Sequence, residues 1–292
     1  MTDRPRRSAL YMPGSNPRAL EKARSLPADS LILDLEDAVA PAEKKTAREL
    51  VCAALSAGGF GPRELIVRVN GLDTEWGADD LAAAATSSAD AVLIPKVESA
   101  EMIHAVERAL TEHGNQTAKI WAMMETPLGM LNAQEIAASS ERLTCFVLGT
   151  NDLVKDLGAS HTNARTPIIT ALGLCMLAGR AYGLTVLDGV YNAFRDAEGL
   201  RASCLQGREM GFDGKTLIHP LQLEAANEVF SPSPEDLEMA RKYVDAFADA
   251  EAAGKGVAVV DGRIVENLHV EMAKKQLAIA EAIRKFSEGA AS

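Results

Sequence analysis

The stretch "SLILDLEDAV", residues 30–39, decides the fold prediction for this chain. It opens with an apolar run that lacks the polar alternation of a strand with one face in water, so it predicts a strand buried on both faces of a parallel sheet. Three carboxylates, Asp34, Glu36 and Asp37, follow within four positions. Charges at the end of a buried strand need a counter-charge, a metal or a ligand. We therefore expect Asp34 to belong to the scaffold and Glu36 and Asp37 to emerge at a functional edge.

Similar apolar runs recur along residues 1–230, and each precedes a segment rich in Ala, Leu, Glu and Lys that predicts a helix. The other runs begin at Ser8, Glu64, Ala91, Lys119, Thr144, Leu184 and Lys215. Eight such βα units favour an α/β fold of the (β/α)8 TIM barrel type, which typically takes about 250 residues. A doubly wound open sheet is the alternative, but no G-x-G-x-x-G follows the first strand.

The pattern changes in residues 231–292, which predict a C-terminal helix-hairpin-helix appendage. A Ser-Pro cap signal opens a long amphipathic helix. Asp261-Gly262 then lies between two short β-type runs, the commonest signal for a two-residue hairpin, and a last helix follows. We expect this appendage to act as a lid over the barrel mouth, either its own or that of a neighbouring subunit.

Charge and composition exclude several classes of function. Lys and Arg number 30 against 41 Asp and Glu, so the net charge of −11 disfavours nucleic acid as a partner. No segment reaches about 18 uninterrupted apolar residues, which disfavours a membrane span. The four cysteines form no C-x-x-C pair and are typical of reduced core thiols. The sequence predicts a soluble cytoplasmic protein.

Polar residues follow the ends of the predicted strands, where TIM-barrel enzymes place their chemistry. In strand order these are Gly14 and Ser15, Glu36 and Asp37, Arg68 and Asn70, Lys96, Glu125, Asn151 and Asp152, Asp188, and His219. Many ionisable groups at one mouth would cost free energy unless a metal or ligand met them. The list therefore predicts an active site.

Glu125 and Asp152 end neighbouring predicted strands and offer two carboxylates. Two carboxylates with positions left for water and substrate are typical of Mg²⁺ sites, and no His/Cys cluster offers a zinc site instead. The alternative is an ion pair with Arg68 or Lys96.

Two sets of cations could bind anions. Arg68 could grip a substrate carboxylate or stabilise an enolate oxygen, or form a salt bridge to Glu36 or Asp37. Gly14 and Ser15 precede a helix whose first turns carry Arg18 and Lys22. This arrangement suits a phosphate, although the pattern favours an ordinary capped helix with a solvated basic face.

Seven motifs together resemble one known family. They are "LYMPGSNPRALEKA", "LILDLEDAVAPAEKKTAR", "VRVNGLDT", "VLIPKVES", "METPLG", "LGTNDL" and "KTLIHPLQLEAANEVFSPS". In this order and spacing they resemble the citrate lyase β-subunit-like family of CoA-ester lyases, within the HpcH/HpaI aldolase superfamily. That family includes malyl-CoA, β-methylmalyl-CoA and citramalyl-CoA lyases.

The resemblance implies a Mg²⁺-dependent carbon–carbon lyase of retro-aldol or Claisen type, with Mn²⁺ as a substitute metal and CoA as part of the substrate. Such an enzyme cleaves a β-hydroxyacyl-CoA to a 2-oxo acid plus acetyl-CoA or propionyl-CoA. The implied assembly is a homotrimer or hexamer in which the lid comes from a neighbouring subunit. A citrate lyase β subunit acting on an acyl-carrier-protein thioester is an alternative.

The resemblance also implies a role for individual residues. Glu125 and Asp152 match the metal ligands, and Arg68 matches the arginine that contacts the reacting oxygens. Glu36 and Asp37 match a pair that binds metal-bound waters and that arginine. The residues that match the CoA-binding and substrate-binding region are Gly14, Ser15, Arg18, Lys22, Lys96, His219 and Pro220.

One position departs from the family pattern. Many relatives have an aspartate in the appendage as the acid/base that reaches the adjacent subunit's site, whereas "GRIVENLHV" places Glu266 there, with His269 nearby. A longer arm changes the geometry of proton transfer. The substitution raises the alternative of an (S)-malyl-CoA thioesterase, which uses water at the same metal site. A purely structural role, capping the last helix, also remains open for Glu266.

Overall fold

Strands and helices alternate along residues 6–230 of the computed structural model, which describes residues 4–291. The strands are β1 (Ser8–Pro13), β2 (Ser30–Asp34), β3 (Glu64–Arg68), β4 (Ala91–Ile94), β5 (Lys119–Met124), β6 (Leu143–Leu148), β7 (Thr185–Asp188) and β8 (Gly214–Leu217). The helices are α1 (Pro17–Ala23), α2 (Lys44–Ala57), α3 (Gly77–Ala85), α4 (Ala100–Glu112), α5 (Pro127–Leu131), α6 (Ala133–Ala137), α7 (Thr150–Asp156), α8 (Ile169–Ala181), α9 (Ala197–Met210) and α10 (Leu223–Val229).

The eight strands close into a parallel barrel in sequence order, and β1 pairs with both β2 and β8. The predicted TIM barrel is therefore confirmed. Parallel pairing brings all the carboxyl ends to one rim, where the polar residues of the sequence motifs collect. In the register of β2 and β3, Asp34 lies directly beside Arg68.

Apolar side chains fill two layers on either side of the strands. One cluster lies inside the barrel and includes Ile32, Ile66, Leu93, Trp121, Val147 and Leu187. The larger cluster packs the outward faces of the strands against the helices. Because side chains alternate along a strand, Asp34 and Arg68 point inward like Ile32 and Ile66, two residues before them.

An ion pair closes the amino-terminal end of the barrel. Arg6 donates from Nε and Nη2 to the two carboxylate oxygens of Glu64, both at 2.6 Å, and from Nη1 to Thr185 Oγ1 at 2.8 Å. The guanidinium also lies over the Trp121 ring, 5.2 Å from its centroid. These contacts pair the buried charges with neighbouring groups in the barrel. The amino-terminal end of the barrel therefore has a structural role.

Asp188 does not belong to the open mouth, which corrects the expectation from its place at a strand end. Leu187 occupies the inward position of β7, so Asp188 points outward and is fully buried. It accepts hydrogen bonds from Lys215 Nζ at 2.7 Å and from Arg165 Nη1 at 2.5 Å. A Cβ at Gly207 in α9 would lie 2.9 Å from Asp188 Oδ2. This cluster joins the barrel wall to its helical layer.

We expect the Lys215→Met variant to unfold at a lower urea concentration than wild type. It leaves Asp188 buried with Arg165 as its remaining cation, and removing one partner of a buried pair typically costs about 3 kcal/mol. The additional change Asp188→Asn should recover part of this loss. As a control, Arg201→Ala breaks an exposed pair with Glu228 and should leave the midpoint unchanged. An unchanged midpoint for Lys215→Met would contradict this account.

The second compact unit takes in residues 231–291 together with residues 4–5. It contains α11 (Pro234–Ala252), the antiparallel strands β9 (Ala258–Val260) and β10 (Arg263–Val265), and α12 (Asn267–Ala291). Ser233 begins α11 with a reciprocal capping box to Asp236. Asp261 and Gly262 connect the hairpin with φ of 49° and 76°, the left-handed conformations of a two-residue turn.

Within residues 4–291, none of the helices is both long enough and apolar enough to cross a membrane. Cys145, Cys175 and Cys204 are buried free thiols, and Cys52 is half-buried. Burial raises the pKa of the Cys175 thiol to about 12, so this thiol is protonated and unreactive at neutral pH.

Candidate active site

Arg68 is anchored to Asp34 at the carboxyl ends of β3 and β2. Its Nε donates to Asp34 Oδ1 at 2.7 Å, and its Nη2 donates to Asp34 Oδ2 at 2.6 Å. Both residues are buried, with 6% of Arg68 and 1% of Asp34 exposed. Although burial lowers it, attraction to Asp34 raises the pKa of Arg68 well above its ordinary value. The guanidinium is thus a permanent cation at the inner edge of the mouth.

Glu36 and Asp37 lie at the other end of the same guanidinium. Arg68 Nη1 is 2.7 Å from Glu36 Oε2 and 3.4 Å from Asp37 Oδ2. The contact to Glu36 lacks hydrogen-bond geometry, so this buried oxygen has no hydrogen-bond partner among the described residues. Burial, against the opposing charge of Arg68, raises the pKa of Glu36 to about 7. The salt bridge predicted for Arg68 is present, but Asp34 is its principal partner.

The loop that carries Glu36 is held from below by Lys44. The Lys44 ammonium donates to the carbonyls of Leu35 and Glu36 at 2.9 and 2.7 Å, and to Asn70 Oδ1 at 2.7 Å. Asn70 also donates to Asp80 Oδ2 at 2.5 Å. Asn70, a residue that the strand-end pattern places at the mouth, is therefore part of a buried support for the loop.

Glu125 follows β5 and is held by the backbone of Lys96. The Lys96 N–H donates to Glu125 Oε1 at 2.8 Å, and Lys96 has a φ of 49°, a conformation that costs free energy for a residue other than glycine. Only 2% of Glu125 is exposed. Burial first, and the charge of Glu36 second, raise the pKa of Glu125 to about 8.

Gly149 leaves room for the Glu125 carboxylate. A Cβ at this position would lie 2.2 Å from Glu125 Oε2 and 2.4 Å from Glu125 Cβ. Asp152 follows three residues later in the first turn of α7, and its side chain is partly exposed. The charge of Asp152 contributes to the raised pKa of Glu125, so the two carboxylates lie within electrostatic reach of each other.

The Lys96 side chain lies among these acidic groups. Burial lowers the pKa of its ammonium, but attraction to Asp152, Glu125, Glu36 and Asp37 outweighs burial and raises it. Two cations, Lys96 and Arg68, face these four carboxylates. Burial and the neighbouring acidic groups disfavour the charged forms of Glu36 and Glu125, so a further bound cation would favour their ionised forms at neutral pH.

The donor set fits a divalent metal ion. Among residues 4–291, no three His, Cys, Asp or Glu side chains form a cluster that could hold a metal by themselves. Mg²⁺ commonly binds through one or two carboxylates and keeps several waters. Glu125 and Asp152 supply the carboxylates, and the unpartnered Glu36 oxygen could accept a hydrogen bond from a bound water. Glu125 and Asp152 remain the predicted ligands.

We expect the Gly149→Ala variant to bind Mg²⁺ at least about tenfold more weakly than wild type, because its methyl group would displace the Glu125 carboxylate. The φ of Gly149 is −93°, so alanine adds no backbone strain. Gly173→Ala is a matched control, since a Cβ there meets no atom within 4 Å. Isothermal titration calorimetry measures both affinities, and equal values would contradict the assignment.

The predicted phosphate site around Gly14 has a packing explanation in this structure. A Cβ at Gly14 would lie 2.6 Å from the Asp34 carbonyl oxygen, so the glycine permits β1 to approach β2. Asn16 caps α1 by accepting from the Ala19 N–H at 3.1 Å. Ser15 is half-buried beside this turn, and Arg18 and Lys22 are exposed on α1. Their contact with CoA remains a prediction.

His219 and Pro220 lie at the end of β8. The His219 ring stacks on Phe194 with centroids 4.4 Å apart, and Arg195 lies 5.0 Å from the Phe194 centroid. The buried Gln222 accepts from the His219 N–H at 3.2 Å and donates to the Tyr191 carbonyl at 2.8 Å. Gln222 thereby fixes the β7–α9 loop against the β8 end, and the CoA role of His219 and Pro220 stays a prediction.

Glu266 lies in the second unit, immediately before α12. Its backbone N–H donates to His269 Nδ1 at 3.1 Å, so the imidazole caps the helix start. Glu266 itself is exposed. The capping contact at the start of α12 is made by the His269 ring rather than by the Glu266 carboxylate.

Sequence reasoning missed two residues that shape the site. Tyr11 supports the Arg68 guanidinium from 4.7 Å away, and Gly149 makes space for Glu125. Asp34, expected to belong to the scaffold, binds Arg68 through both carboxylate oxygens. Alternation after Ile32 indicates that Asp34 points inward, whereas the close approach at Gly149 leaves no local signal.

Comparison with known proteins gives consistent matches over most of the chain. A family model described as HpcH/HpaI aldolase/citrate lyase matches residues 7–220. A (3S)-malyl-CoA thioesterase from Cereibacter sphaeroides is 59% identical over 282 residues, which cover 97% of this chain and 97% of the relative. Citrate lyase subunit beta from Haemophilus influenzae is 36% identical over 275 residues, covering 92% of this chain and 94% of the relative.

One solved structure matches this chain over nearly its whole length. Protein CitE from Mycobacterium tuberculosis, crystallised in complex with magnesium, acetoacetate and coenzyme A, superposes with a TM-score of 0.75 at 30% sequence identity. The match covers 94% of this chain and 97% of that one.

Proposed function

Because the chain belongs to the HpcH/HpaI aldolase/citrate lyase family, we propose that it is a Mg²⁺-dependent enzyme that hydrolyses a malyl-type CoA thioester. Membership confirms the resemblance found in the sequence. The observation that carries the choice of reaction is the 59% identity, over 97% of both chains, to proteins named (3S)-malyl-CoA thioesterase. Citrate lyase subunits beta stand further away, at 34–36% identity.

The position of Arg68 supports chemistry at a thioester carbonyl. Hydrolysis and carbon–carbon cleavage both place negative charge on the thioester oxygen, the first in a tetrahedral intermediate and the second in an enolate. Arg68 Nη1 faces the mouth beside Glu36, and a fixed cationic donor at such an oxygen stabilises the transition state. The arginine therefore supports either reaction of one substrate class.

The acidic residues have separate roles in this proposal. Mg²⁺ bound by Glu125 and Asp152 would polarise oxygens of the acyl group. Lys96 holds Glu125 in place through its backbone N–H. Glu36 and Asp37 balance the charge of Arg68 and accept hydrogen bonds from water or from substrate hydroxyl groups. Arg18, Lys22 and His219 would line the path of the CoA moiety.

Hydrolysis requires a base for the attacking water. The water oxygen bonds to the thioester carbon, its proton passes to the base, the carbon–sulfur bond breaks, and the sulfur leaves as CoA thiolate that is then protonated. We assign the base to Glu266 of a neighbouring subunit in a homotrimer or hexamer of this cytoplasmic enzyme. An exposed carboxylate on an appendage is suited to reach another subunit.

Carbon–carbon cleavage, the reaction predicted from the sequence, is the second candidate. Here the base removes the substrate hydroxyl proton, and the bond between the hydroxyl-bearing carbon and the carbon next to the thioester breaks. Malyl-CoA would give glyoxylate and the enolate of acetyl-CoA, which then accepts a proton. The aldolase relatives and the match to CitE favour this reaction.

Product analysis separates the two reactions. Purified protein is incubated with Mg²⁺ and (3S)-malyl-CoA, and free thiol, malate and glyoxylate are measured, with EDTA as the metal-free control. Thiol and malate in equal amounts without glyoxylate support hydrolysis, whereas glyoxylate with no free thiol supports the lyase. Absence of all products from malyl-, β-methylmalyl- and citramalyl-CoA would refute both reactions, and activity only on an acyl-carrier-protein thioester would indicate a citrate lyase β function.

Subunit mixing tests the assignment of Glu266. Glu266→Gln and Glu125→Gln should each be inactive alone, because one lacks the base and the other a metal ligand. Mixed oligomers should regain activity if a site combines Glu125 of one subunit with Glu266 of another. Light scattering gives the size of the oligomer, and the Glu266→Asp variant tests the need for the longer arm. No recovery in oligomers shown to exchange subunits would refute the shared site.

A further inference from the structure

Asp34 accepts hydrogen bonds from two backbone N–H groups in addition to those from its ion-pair partner Arg68. Its Oδ1 accepts from Arg68 Nε at 2.7 Å and from the Glu36 N–H at 2.9 Å. Its Oδ2 accepts from Arg68 Nη2 at 2.6 Å and from the Ala38 N–H at 3.2 Å. Each oxygen therefore binds one guanidinium donor and one backbone donor.

These contacts leave Asp34 no capacity to act on a substrate itself. The side chain is 1% exposed, and its four donors occupy the directions in which a carboxylate accepts hydrogen bonds. A group that is buried and saturated cannot bind a metal or exchange a proton with a ligand without losing these contacts. Any contribution of Asp34 to the reaction must act through the groups that it holds.

The guanidinium of Arg68 is fixed on one edge and one face. Asp34 occupies the edge formed by Nε and Nη2, and the Tyr11 ring lies beneath the plane, 4.7 Å from the guanidinium carbon. The remaining nitrogen, Nη1, faces Glu36 and Asp37 at the mouth. A bidentate contact restricts the rotation of an arginine far more than a single hydrogen bond.

We infer that Asp34 is a positioning residue that orients Arg68 Nη1 and the Glu36 loop as one unit toward the thioester oxygen, an inference that rests on the proposed function. The same carboxylate fixes the arginine from β3 and the backbone turn that carries Glu36. Its loss would disturb the direction of the Arg68 donor and the position of Glu36 together. The metal ligands Glu125 and Asp152 make no hydrogen bond to it.

The first test is the kinetics of Asp34→Asn, which keeps the volume but turns one acceptor into a donor that faces donors. We expect kcat to fall by about 30-fold or more, within the range of about 10–100-fold seen when supporting contacts are removed. KM for the CoA ester should change by less than about threefold, because the residues proposed to contact CoA do not bind Asp34. A larger change in KM than in kcat would overturn the inference.

A double-mutant cycle separates positioning from general destabilisation. If Asp34 acts through Arg68, Asp34→Asn should cost less than about threefold in kcat in an Arg68→Lys background, since the bidentate partner is already gone. Equal losses in both backgrounds would overturn the inference. Tyr11→Phe keeps the ring beneath Arg68 and serves as the matched control for Tyr11→Leu, which removes it. If Asp34→Asn fails to fold, Asp34→Glu enters the same cycle.

A spectroscopic readout keeps the inference testable without turnover. The Arg68 Nε–H resonance in a ¹H–¹⁵N spectrum is identified by its absence from Arg68→Lys, and it should be shifted and slow to exchange in wild type. In the Asp34 variant it should move toward the position of solvent-exposed arginines. If the resonance does not move, Asp34 does not position Arg68 and the inference is refuted. If the resonance moves but the wild-type protein turns over no CoA ester, the proposed function is refuted and the positioning of Arg68 by Asp34 stands.

Discussion

The Glu125→Gln variant is expected to bind Mg²⁺ more than about 100-fold more weakly than wild type, since direct ligands matter more than their supporting partners, whose loss costs about 10–100-fold. Glutamine keeps the oxygen that accepts the Lys96 N–H but lacks the negative charge. Activity should fall with metal binding. Calorimetry and Mg²⁺-dependent turnover measure the two effects, with the exposed Glu135→Gln as control.

The same variant has an expected signature in stability. Because the pKa of Glu125 is raised to about 8, ionising it in the metal-free protein is unfavourable, and wild-type stability should fall as pH rises from about 4.5 toward 8. Glutamine does not ionise. In EDTA the two proteins should melt alike at pH 5, while the variant should melt at the higher temperature at pH 8.5. Mg²⁺ should then stabilise wild type alone, and equal stabilisation of both proteins would contradict the ligand assignment.

The Arg68→Lys variant is expected to lose kcat by on the order of 10³-fold, near the upper end for removing one oxyanion donor. Lysine keeps the charge, but a single ammonium cannot bind both Asp34 oxygens and also present a donor at the mouth. The Mg²⁺ affinity should stay within about threefold, because the predicted ligands Glu125 and Asp152 are unchanged. Steady-state kinetics measure the loss.

The control for Arg68→Lys is Arg201→Lys, at an exposed pair with Glu228. That change should leave kcat and KM at wild-type values. A kcat within about threefold of wild type for Arg68→Lys would mean that charge alone, without the two-pronged contact to Asp34, suffices for the reaction.

The barrel could be predicted because its signals are local. Most of the strands are short apolar runs, as in Ser30–Asp34, and their alternation with helices specifies a parallel sheet. The hairpin at Asp261-Gly262 was equally predictable from the sequence, because a two-residue hairpin turn favours residues that adopt positive φ angles, such as Asp-Gly.

The site was only partly predictable, because its contacts join distant segments. The strand-end rule treats Arg68 and Asp188 alike, but the inward or outward direction of each depends on the alternation within its strand. The Asp34–Arg68 contact depends on the β2–β3 register, and the space beside Glu125 depends on how β5 meets Gly149. Both depend on how distant segments pack together, and this packing cannot be predicted from a short sequence motif.

The left-handed backbone of Lys96 places opposing demands on this enzyme. Glycine would adopt a φ of 49° without strain, and would keep the N–H that holds Glu125, but it would remove the ammonium from the acidic mouth. Laboratory evolution for heat resistance should therefore favour glycine at position 96, whereas selection for turnover should restore lysine. The residue found at position 96 would then indicate whether a variant was selected for thermal stability or for a high turnover rate.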